Sequence, residues 1–336
     1  MPVNQTLSNF SDLAFQSAFV VYVVALFLAL FYYGRMQGVI DARRERAAAK
    51  AEHKELVAVG GGAGGSTPTD LPSTPDEELQ KRERGADKLA GMTQSLVWLG
   101  IVLHAVAWVV RGFAVERFPL SNLYEYMLGI TLGVMVAAAI ALHRRSWRSL
   151  WPWILTPMLA LMFYGGTDLY AESAPVVPAL QSNWLPIHVS TVAIGASVGI
   201  VSGVAALLYL LRLWQAPGKE KGFFGALAKP LPTAKKLDSL AYRAAIITLP
   251  TFGLGILLGA IWAESAWGRF WGWDPKETVS LITWVLYAAY LHARATPSWK
   301  GWKAAIINIV ALATMIFNLF FINMVVSGLH SYAGLN

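Results

Sequence analysis

The stretch IHVSTVAIGASVGIVSGVAALLYLL, residues 187–211, decides the fold class of this chain. It contains no Asp, Glu, Lys or Arg, and as a helix it is long enough to cross a hydrocarbon core of about 30 Å. The chain as a whole is also apolar, with 56% hydrophobic and 14% charged residues among 336. This small number of polar side chains cannot cover the surface of a water-soluble domain of this size. The sequence therefore predicts a membrane protein.

We predict an all-α, polytopic helical bundle with about eight transmembrane helices. The first span should remain as an anchor, because residues 1–12 lack the basic region of a cleavable signal. We divide the chain into an anchor (1–33), a cytoplasmic basic helix with a flexible linker (34–91) and a membrane domain (92–336). The predicted spans are 13–33, 92–113, 123–142, 150–166, 187–211, 241–262, 278–295 and 304–327.

The distribution of positive charge predicts the orientation in the membrane. The loops 34–91, 143–149, 212–243 and 293–303 hold all but four of the 27 Lys and Arg residues. Because basic residues accumulate in cytoplasmic loops, both termini are expected on the extracytoplasmic side. This bias, with attraction to anionic lipid of the bilayer, accounts for the net charge of +7, and we predict no nucleic-acid partner.

Glycines recur at every fourth position in two spans. Gly195, Gly199 and Gly203 share one face of the fifth span, and Gly255 and Gly259 repeat the spacing in the sixth. Small residues at this spacing let helix backbones approach closely in lipid. We therefore predict that both spans pack tightly against neighbours or lie beside a bound flat ligand.

The segment WAESAWGRFWGWDPKET, residues 262–278, lies on the predicted outer face. Asp274 as N-cap, Pro275 at the first position and Glu277 at the third predict the start of the seventh span, without any ligand. An aromatic belt explains one or two rings per helix end. We predict that the remaining rings, with Gly268 and Gly272 between them, form a loop that presents them outward: Trp262, Trp267, Trp271 and Trp273.

A second outer segment, RFPLSNLYEYM at 117–127, also has the pattern of a capped helix start. Asn122 is the predicted N-cap and Glu125 the third residue of the helix. The simplest interpretation is a turn by which the chain re-enters the membrane. The segment is also positioned to line the same external pocket.

Four histidines are candidate ligands. His188 and His330 lie on the predicted outer face and flank the tryptophans in topology. A single interfacial histidine is usually structural, but two beside an aromatic platform indicate a shared site, and neutral imidazole with flat rings suits haem iron and porphyrin. Zinc fits less well, because further ligands are not evident. His104 and His292 lie within spans, where an ionisable residue predicts function, although His292 is close enough to the cytoplasmic end to reach the interface.

The chain has no cysteine, which excludes thiolate metal sites, disulfide exchange and a cysteine nucleophile. Any redox-active thiol must come from a substrate or from a thiol-reducing partner.

The motif from Trp267 to Thr278 resembles the tryptophan-rich WWD signature of haem-handling proteins in cytochrome c maturation. With FPLSNLYEYM, the flanking histidines and eight spans, the chain is similar to the CcsA (ResC) family of the System II pathway over about residues 92–336. The resemblance implies a CcsB (ResB) partner and export of haem b to an external site. There the haem is attached to the CxxCH cysteines of apocytochrome c, a holocytochrome c synthase activity.

The resemblance also implies roles for individual residues. His188 and His330 match the external axial ligands of haem, with the tryptophan segment and Asp274 around the macrocycle. His292 matches the inner transmembrane ligand, whose counterpart is expected from the partner. His104 lies in the family span before PLSNLYE and is a further candidate for haem binding. Arg269 and Lys276 are candidates for pairing with haem propionates, or have a plain interfacial role.

The family implies the bacterial inner membrane, with the thylakoid membrane as the alternative. Three other functions remain open at this point. A non-catalytic haem chaperone or exporter of the same superfamily would share these motifs. A secondary transporter would show inverted repeats, of which we find no convincing sign. In a structural membrane subunit, the external histidines would be incidental.

Overall fold

The computed structural model describes residues 3–59, 74–174 and 181–330. These ranges contain nine α-helices and no β-strand, which confirms the predicted all-α membrane bundle. The helices are α1 (Gln5–Val59), α2 (Thr74–Ala114), α3 (Leu123–Ala141), α4 (Trp151–Thr167), α5 (Trp184–Trp214), α6 (Gly222–Ala228), α7 (Ala234–Trp267), α8 (Pro275–Ala295) and α9 (Trp302–Phe317). Short 3₁₀ turns precede α4 and α9, and a π-helical turn, Asn318–Ile322, extends α9.

All eight predicted spans fall on helices of the structure. Six of these helices are long and apolar enough to cross a membrane: α1, α2, α3, α5, α7 and α9 with its π-helical turn. The two others fall short for different reasons. Helix α4 has only 17 residues, and polar residues in the first and last turns of α8 lower its mean hydropathy. A membrane-spanning role for α4 and α8, like the orientation of the termini, stays a prediction.

Helices α1 and α2 form a long antiparallel hairpin. The Asn4 amide donates to the Ala114 carbonyl (2.9 Å) near one end, and the Arg43 guanidinium pairs with Glu83 (2.8 Å) towards the other. The basic segment predicted after the first span therefore continues α1 without a break. The linker predicted within 59–78 lies largely outside the described residues.

Glycine sets the spacing between α5 and its neighbours. A Cβ on Gly195 would lie 2.7 Å from the backbone nitrogen of Phe252 in α7, and a Cβ on Gly203 would lie 2.7 Å from Leu312 in α9. Because no real Cβ fits at such distances, only glycine permits these approaches. The close packing predicted from the glycine spacing is confirmed.

Several helix ends meet at one end of the bundle, which we call the outer end after the predicted orientation. Helices α3, α5 and α8 begin there, and α7 and α9 end there. Helix α7 runs to Trp267 and stops at Gly268, whose φ of 70° is the left-handed conformation that ends a helix. The helix continues beyond the predicted span 241–262, so the prediction that Trp262 and Trp267 lie in a loop is wrong, because the Ala-Glu-Ser-Ala segment between them favours helix.

Candidate functional site

A cleft of about 990 Å³ opens at the outer end of the bundle. This volume includes the solvent-filled mouth of the cleft, and most of the wall is apolar. The wall combines the start of α3, one face of α5 and α7, the first turns of α8 and the chain after α9. Residues predicted from the sequence that line the cleft are Asn122, His188, Trp267, Trp271, Lys276, Glu277 and His330.

His188, in the first turns of α5, is held by α7. Its ring Nδ1 lies 2.8 Å from the carbonyl oxygen of Gly255. A carbonyl only accepts hydrogen bonds, so Nδ1 carries the proton and Nε2 carries the lone pair. Gly259 makes room for the ring, because a Cβ there would lie 2.6 Å from the His188 Cε1.

His330, which follows α9, is held by the Asp274 carboxylate at the start of α8. The His330 Nδ1 lies 2.7 Å from Asp274 Oδ2, and the Leu329 amide donates to Oδ1 at 2.8 Å. Gly328 permits this approach, because a Cβ there would lie 2.7 Å from Oδ1. Burial lowers the pKa of His330, although the hydrogen bond to Asp274 opposes that change. The ring is therefore neutral near pH 7, which is the form that binds metals.

The indole of Trp262 contacts both imidazoles. It stacks on His188 with ring centres 5.9 Å apart, and its centre is 6.0 Å from that of His330. Trp267 contacts His330 edge to face at 5.0 Å. Trp262 is only 1% exposed, so the prediction that it faces outward is wrong. It lies three residues after Gly259 in α7, on the face that packs against α5.

The other residues of the tryptophan segment occupy different positions. Trp271 lines the cleft, whereas Trp273 is 69% exposed and lies outside it. The Arg269 guanidinium pairs with Glu277 (3.4 Å) and lies 5.8 Å from the Trp267 ring centre. Of the two predicted basic residues, only Lys276 lines the cleft.

Asp274 and Glu277 form the predicted capping box. Glu277 Oε2 accepts from the amides of Gly272 (3.0 Å) and Asp274 (3.1 Å), which fixes the loop before α8. Burial raises the pKa of Asp274, but its hydrogen bonds with His330 and Leu329 outweigh burial and lower the pKa to about 2. Asp274 is therefore both the helix cap and the anion that orients His330.

Comparison with known proteins identifies the family. Residues 120–330 match the model of the Cytochrome C assembly protein family. The cytochrome c biogenesis protein CcsA of Guillardia theta is 36% identical over 251 residues, which cover 70% of this chain and 82% of that protein. CcsA of Chlamydomonas reinhardtii is 32% identical, over 80% of each chain. This chain belongs to the CcsA family.

Family membership confirms the predicted resemblance and assigns this CcsA-family chain to cytochrome c maturation. Among solved structures, a cytochrome c haem lyase, CcmF, superposes with a TM-score of 0.51 at 16% identity. The match covers 90% of this chain and 46% of CcmF. At that identity the likeness shows a shared fold alone.

Two predicted histidines of the CcsA-family chain lie away from the cleft. His104 in α2 is fully buried and packs against Phe15 and Tyr22 of α1. His292 is exposed near the end of α8, about 24 Å along the helix from Lys276. In the described part of the chain, no group of three or more His, Asp or Glu side chains is arranged to hold a metal ion.

The start of α3 forms one wall of the cleft, as we predicted for the segment 117–127. Asn122 caps α3 by accepting from the Glu125 amide (2.8 Å). The Glu125 carboxylate is fully buried and accepts from Arg117 at 2.8 Å and from the Ser121 hydroxyl at 3.0 Å. This network fixes the segment whose residues line the cleft: Leu120, Ser121, Asn122, Leu123 and Tyr126.

Two polar cleft residues escaped the sequence analysis. Ser280 lies one turn into α8 and Asn323 directly follows the π-helical turn of α9. The signal was available, because a polar residue inside an apolar span favours a functional role just as an ionisable one does. The π-helical turn, which often marks functional sites, is not visible in the sequence.

Proposed function

We propose that this CcsA-family protein binds haem b in the outer cleft, with His188 and His330 as axial ligands. There it presents the haem for attachment to the CxxCH cysteines of apocytochrome c. One observation carries the proposal: both imidazoles line one cleft, and each points Nδ1 at an oxygen that only accepts hydrogen bonds. The neutral tautomer protonated on Nδ1 has its lone pair on Nε2, and this is a form that binds metals.

The chemistry of the cleft fits haem as a substrate. Ligating histidines commonly donate their other nitrogen to a carbonyl or carboxylate, and Gly255 and Asp274 are such acceptors. The flat faces of Trp267 and Trp271 suit a planar macrocycle, and the mostly apolar wall suits its hydrophobic faces.

The contribution of the protein to the reaction is positioning. Each cysteine thiol adds across one vinyl group, with sulfur bonding to one carbon and hydrogen to the other, so no electrons are gained or lost. The chain has no cysteine, and both thiols come from the apocytochrome. The imidazoles hold the iron and the tryptophans restrain the macrocycle, which brings the vinyl carbons to a fixed place for attack.

Delivery of haem to the cleft requires a partner in this proposal. His292 supplies an inner ligand, and a CcsB/ResB-type subunit supplies its counterpart. The exposure of the His292 ring supports this role, because a second subunit can reach it. A thiol-reducing partner keeps the apocytochrome cysteines reduced. The setting is the bacterial inner membrane, or a thylakoid membrane, with the cleft on the extracytoplasmic side.

The visible spectrum tests the axial ligands. We expect the protein purified from haem-replete membranes to show a bis-imidazole spectrum, and His188→Ala or His330→Ala to lose haem or that spectrum. Added imidazole should restore it in part. His143→Ala is the matched control, because His143 is exposed and lies in the turn after α3, at the opposite end from the start of α3. A haem-free wild type, or a spectrum indifferent to both substitutions, would falsify the assignment.

Reconstitution separates a synthase from a haem chaperone. The protein is combined with a CcsB/ResB-type subunit, reduced haem and an apocytochrome that carries CxxCH. A synthase yields haem that stays on the cytochrome after denaturing electrophoresis. A chaperone yields haem transfer without a covalent product.

A further inference from the structure

Lys276 brings a positive charge into a cleft whose wall is mostly apolar. Its ammonium donates to the amide oxygen Oδ1 of Asn323 at 2.5 Å. The nearest carboxylates in sequence are committed elsewhere, Asp274 to His330 and Glu277 to Arg269. Within the described ranges Lys276 forms no ion pair of its own. A half-buried ammonium opposite a neutral amide is costly, and an anionic ligand would offset that cost.

A second donor lies beside Lys276. Ser280 is one turn further along α8, and its hydroxyl oxygen accepts from Asn318 Nδ2 at 2.8 Å. The Ser280 O–H is therefore left to donate into the cleft, which this residue lines. Asn323 is fixed because its Nδ2 donates to the Leu319 carbonyl at 2.6 Å, which keeps its Oδ1 towards Lys276. Donors for an anion are thus prearranged.

We propose that Lys276 and Ser280 bind a carboxylate of the ligand, which for haem is a propionate. This inference rests on the proposed function and deepens it. Two axial imidazoles define an axis through the iron but leave the macrocycle able to rotate about it. A carboxylate held at one fixed point removes that rotation, so the vinyl groups are presented to the apocytochrome in one orientation.

Arg269 provides a matched control for Lys276. Both are basic residues of the outer loop and the start of α8, and both were candidates for a propionate. Arg269 does not line the cleft and is paired with Glu277. Neutralising Arg269 therefore removes one positive charge, as neutralising Lys276 does, at a residue that does not line the cleft.

The test compares the binding of haem with that of haem dimethyl ester, which lacks both carboxylate charges. Titrations use the full chain in detergent, as wild type, Lys276→Gln and Arg269→Gln. A charge-assisted hydrogen bond is worth about one factor of ten or more in affinity. We expect Lys276→Gln to bind haem about tenfold more weakly and the ester almost unchanged, whereas Arg269→Gln should bind both as wild type does.

The outcomes separate this inference from the proposed function. Equal weakening of haem and ester by Lys276→Gln, or weakening of haem by Arg269→Gln, overturns the carboxylate subsite. A wild type that binds neither compound overturns the haem site itself. Retained ester binding shows that the variant is folded, and Lys276→Arg should recover haem binding. If Lys276→Gln does not fold, Ser280→Ala decides, with an expected loss of roughly threefold for haem only.

Discussion

At the scale of single residues, Asp274 links the helix framework to the candidate ligands. One oxygen of its carboxylate accepts from the Lys276 amide at 3.2 Å and from His330, and the other accepts from the Leu329 amide. The same side chain therefore starts α8 and fixes the chain after α9. The sequence explains Asp274 as a helix cap without any ligand, and in the structure the same carboxylate also positions His330.

Substitution of Asp274 separates these two roles. Asparagine is an equally good N-cap, whereas alanine removes the cap, at a cost of about 1 kcal/mol. We expect Asp274→Asn to unfold close to the wild-type temperature and Asp274→Ala to unfold lower, measured by thermal unfolding in detergent. The ligand signal of His330 in the visible spectrum should weaken in both variants, because asparagine replaces one of the two accepting oxygens by an NH2 donor. Unfolding of Asp274→Ala at the wild-type temperature would count against the capping role.

Sequence reasoning found the residues whose chemistry is unusual for their position. His188 and His330 stand out because imidazoles are rare beside an aromatic cluster at a membrane surface. The burial of Trp262 could not be read in the same way, because it depends on which face of α7 meets α5. Asn323 stands out as a polar residue in an apolar span, but its partner could not be predicted, because Lys276 is 47 residues away in sequence.

At the scale of helices, the contact between α5 and α7 sets the position of His188. The ring donates to a backbone carbonyl of α7 and lies against Gly259. The small residues that bring the two helices together therefore also position the His188 ring.

Gly259→Ala tests this link between packing and site. The new methyl group would lie 2.6 Å from His188 Cε1, so the ring must shift and the ligand signal in the visible spectrum should weaken. Gly203→Ala should destabilise the bundle through Leu312 without changing that spectrum. Gly91→Ala, with open space around it, should gain up to about 1 kcal/mol from helix propensity. An unchanged spectrum in Gly259→Ala would contradict the proposed role of Gly259 in positioning the His188 ring.

The sequence predicts where the helices occur better than it predicts where they end. Apolar runs identify the segments because lipid leaves a spanning backbone few alternatives to helix. The end of α7 depends instead on Gly268, which adopts the left-handed conformation that stops the helix, whereas Gly255 and Gly259 remain helical. Apolarity alone places that end too early, because the last turns of α7 are polar but still helical.

At the scale of the whole molecule, the basic end of α1 (residues 34–59), here called the basic arm, is bonded to the bundle. Glu220, between α5 and α6, accepts from Arg44 of α1 at 2.8 Å and from Arg212 of α5 at 3.0 Å. The Gln37 amide donates to the Ala226 carbonyl at 3.2 Å. Contacts between residues more than 170 positions apart cannot be predicted from this sequence. Its composition predicts only that the segments 34–91 and 212–243 are rich in Lys and Arg.

The ion pairs of Glu220 predict a pH dependence of stability. Burial raises its pKa, but hydrogen bonds from Arg44 and Arg212 outweigh burial and lower the pKa to about 2. The unfolded value is about 4.3, so the stabilisation is complete above about pH 5 and is lost as pH falls towards 2. Glu220→Gln should therefore lower the unfolding temperature near pH 7 and flatten its fall towards about pH 3.

Glu83→Gln is the control for that measurement. Glu83 pairs with Arg43 on the same arm, but a third of its side chain is exposed. Exposed pairs contribute about 0–1 kcal/mol, so this variant should follow the wild-type profile closely. Identical profiles for Glu220→Gln and Glu83→Gln would show that the buried cluster does not fasten the arm.

The two candidate axial histidines are anchored unequally. His188 belongs to a helix that is packed along its length against α7, whereas His330 follows α9 outside any helix and is oriented by Asp274. Displacing His188 would disturb two helices; displacing His330 would disturb its contacts with Asp274, Trp262 and Trp267. A bis-imidazole site built in this way has a permanent ligand and an exchangeable one. The incoming histidine of CxxCH would then have one preferred side of approach, and completed product would leave by the same side.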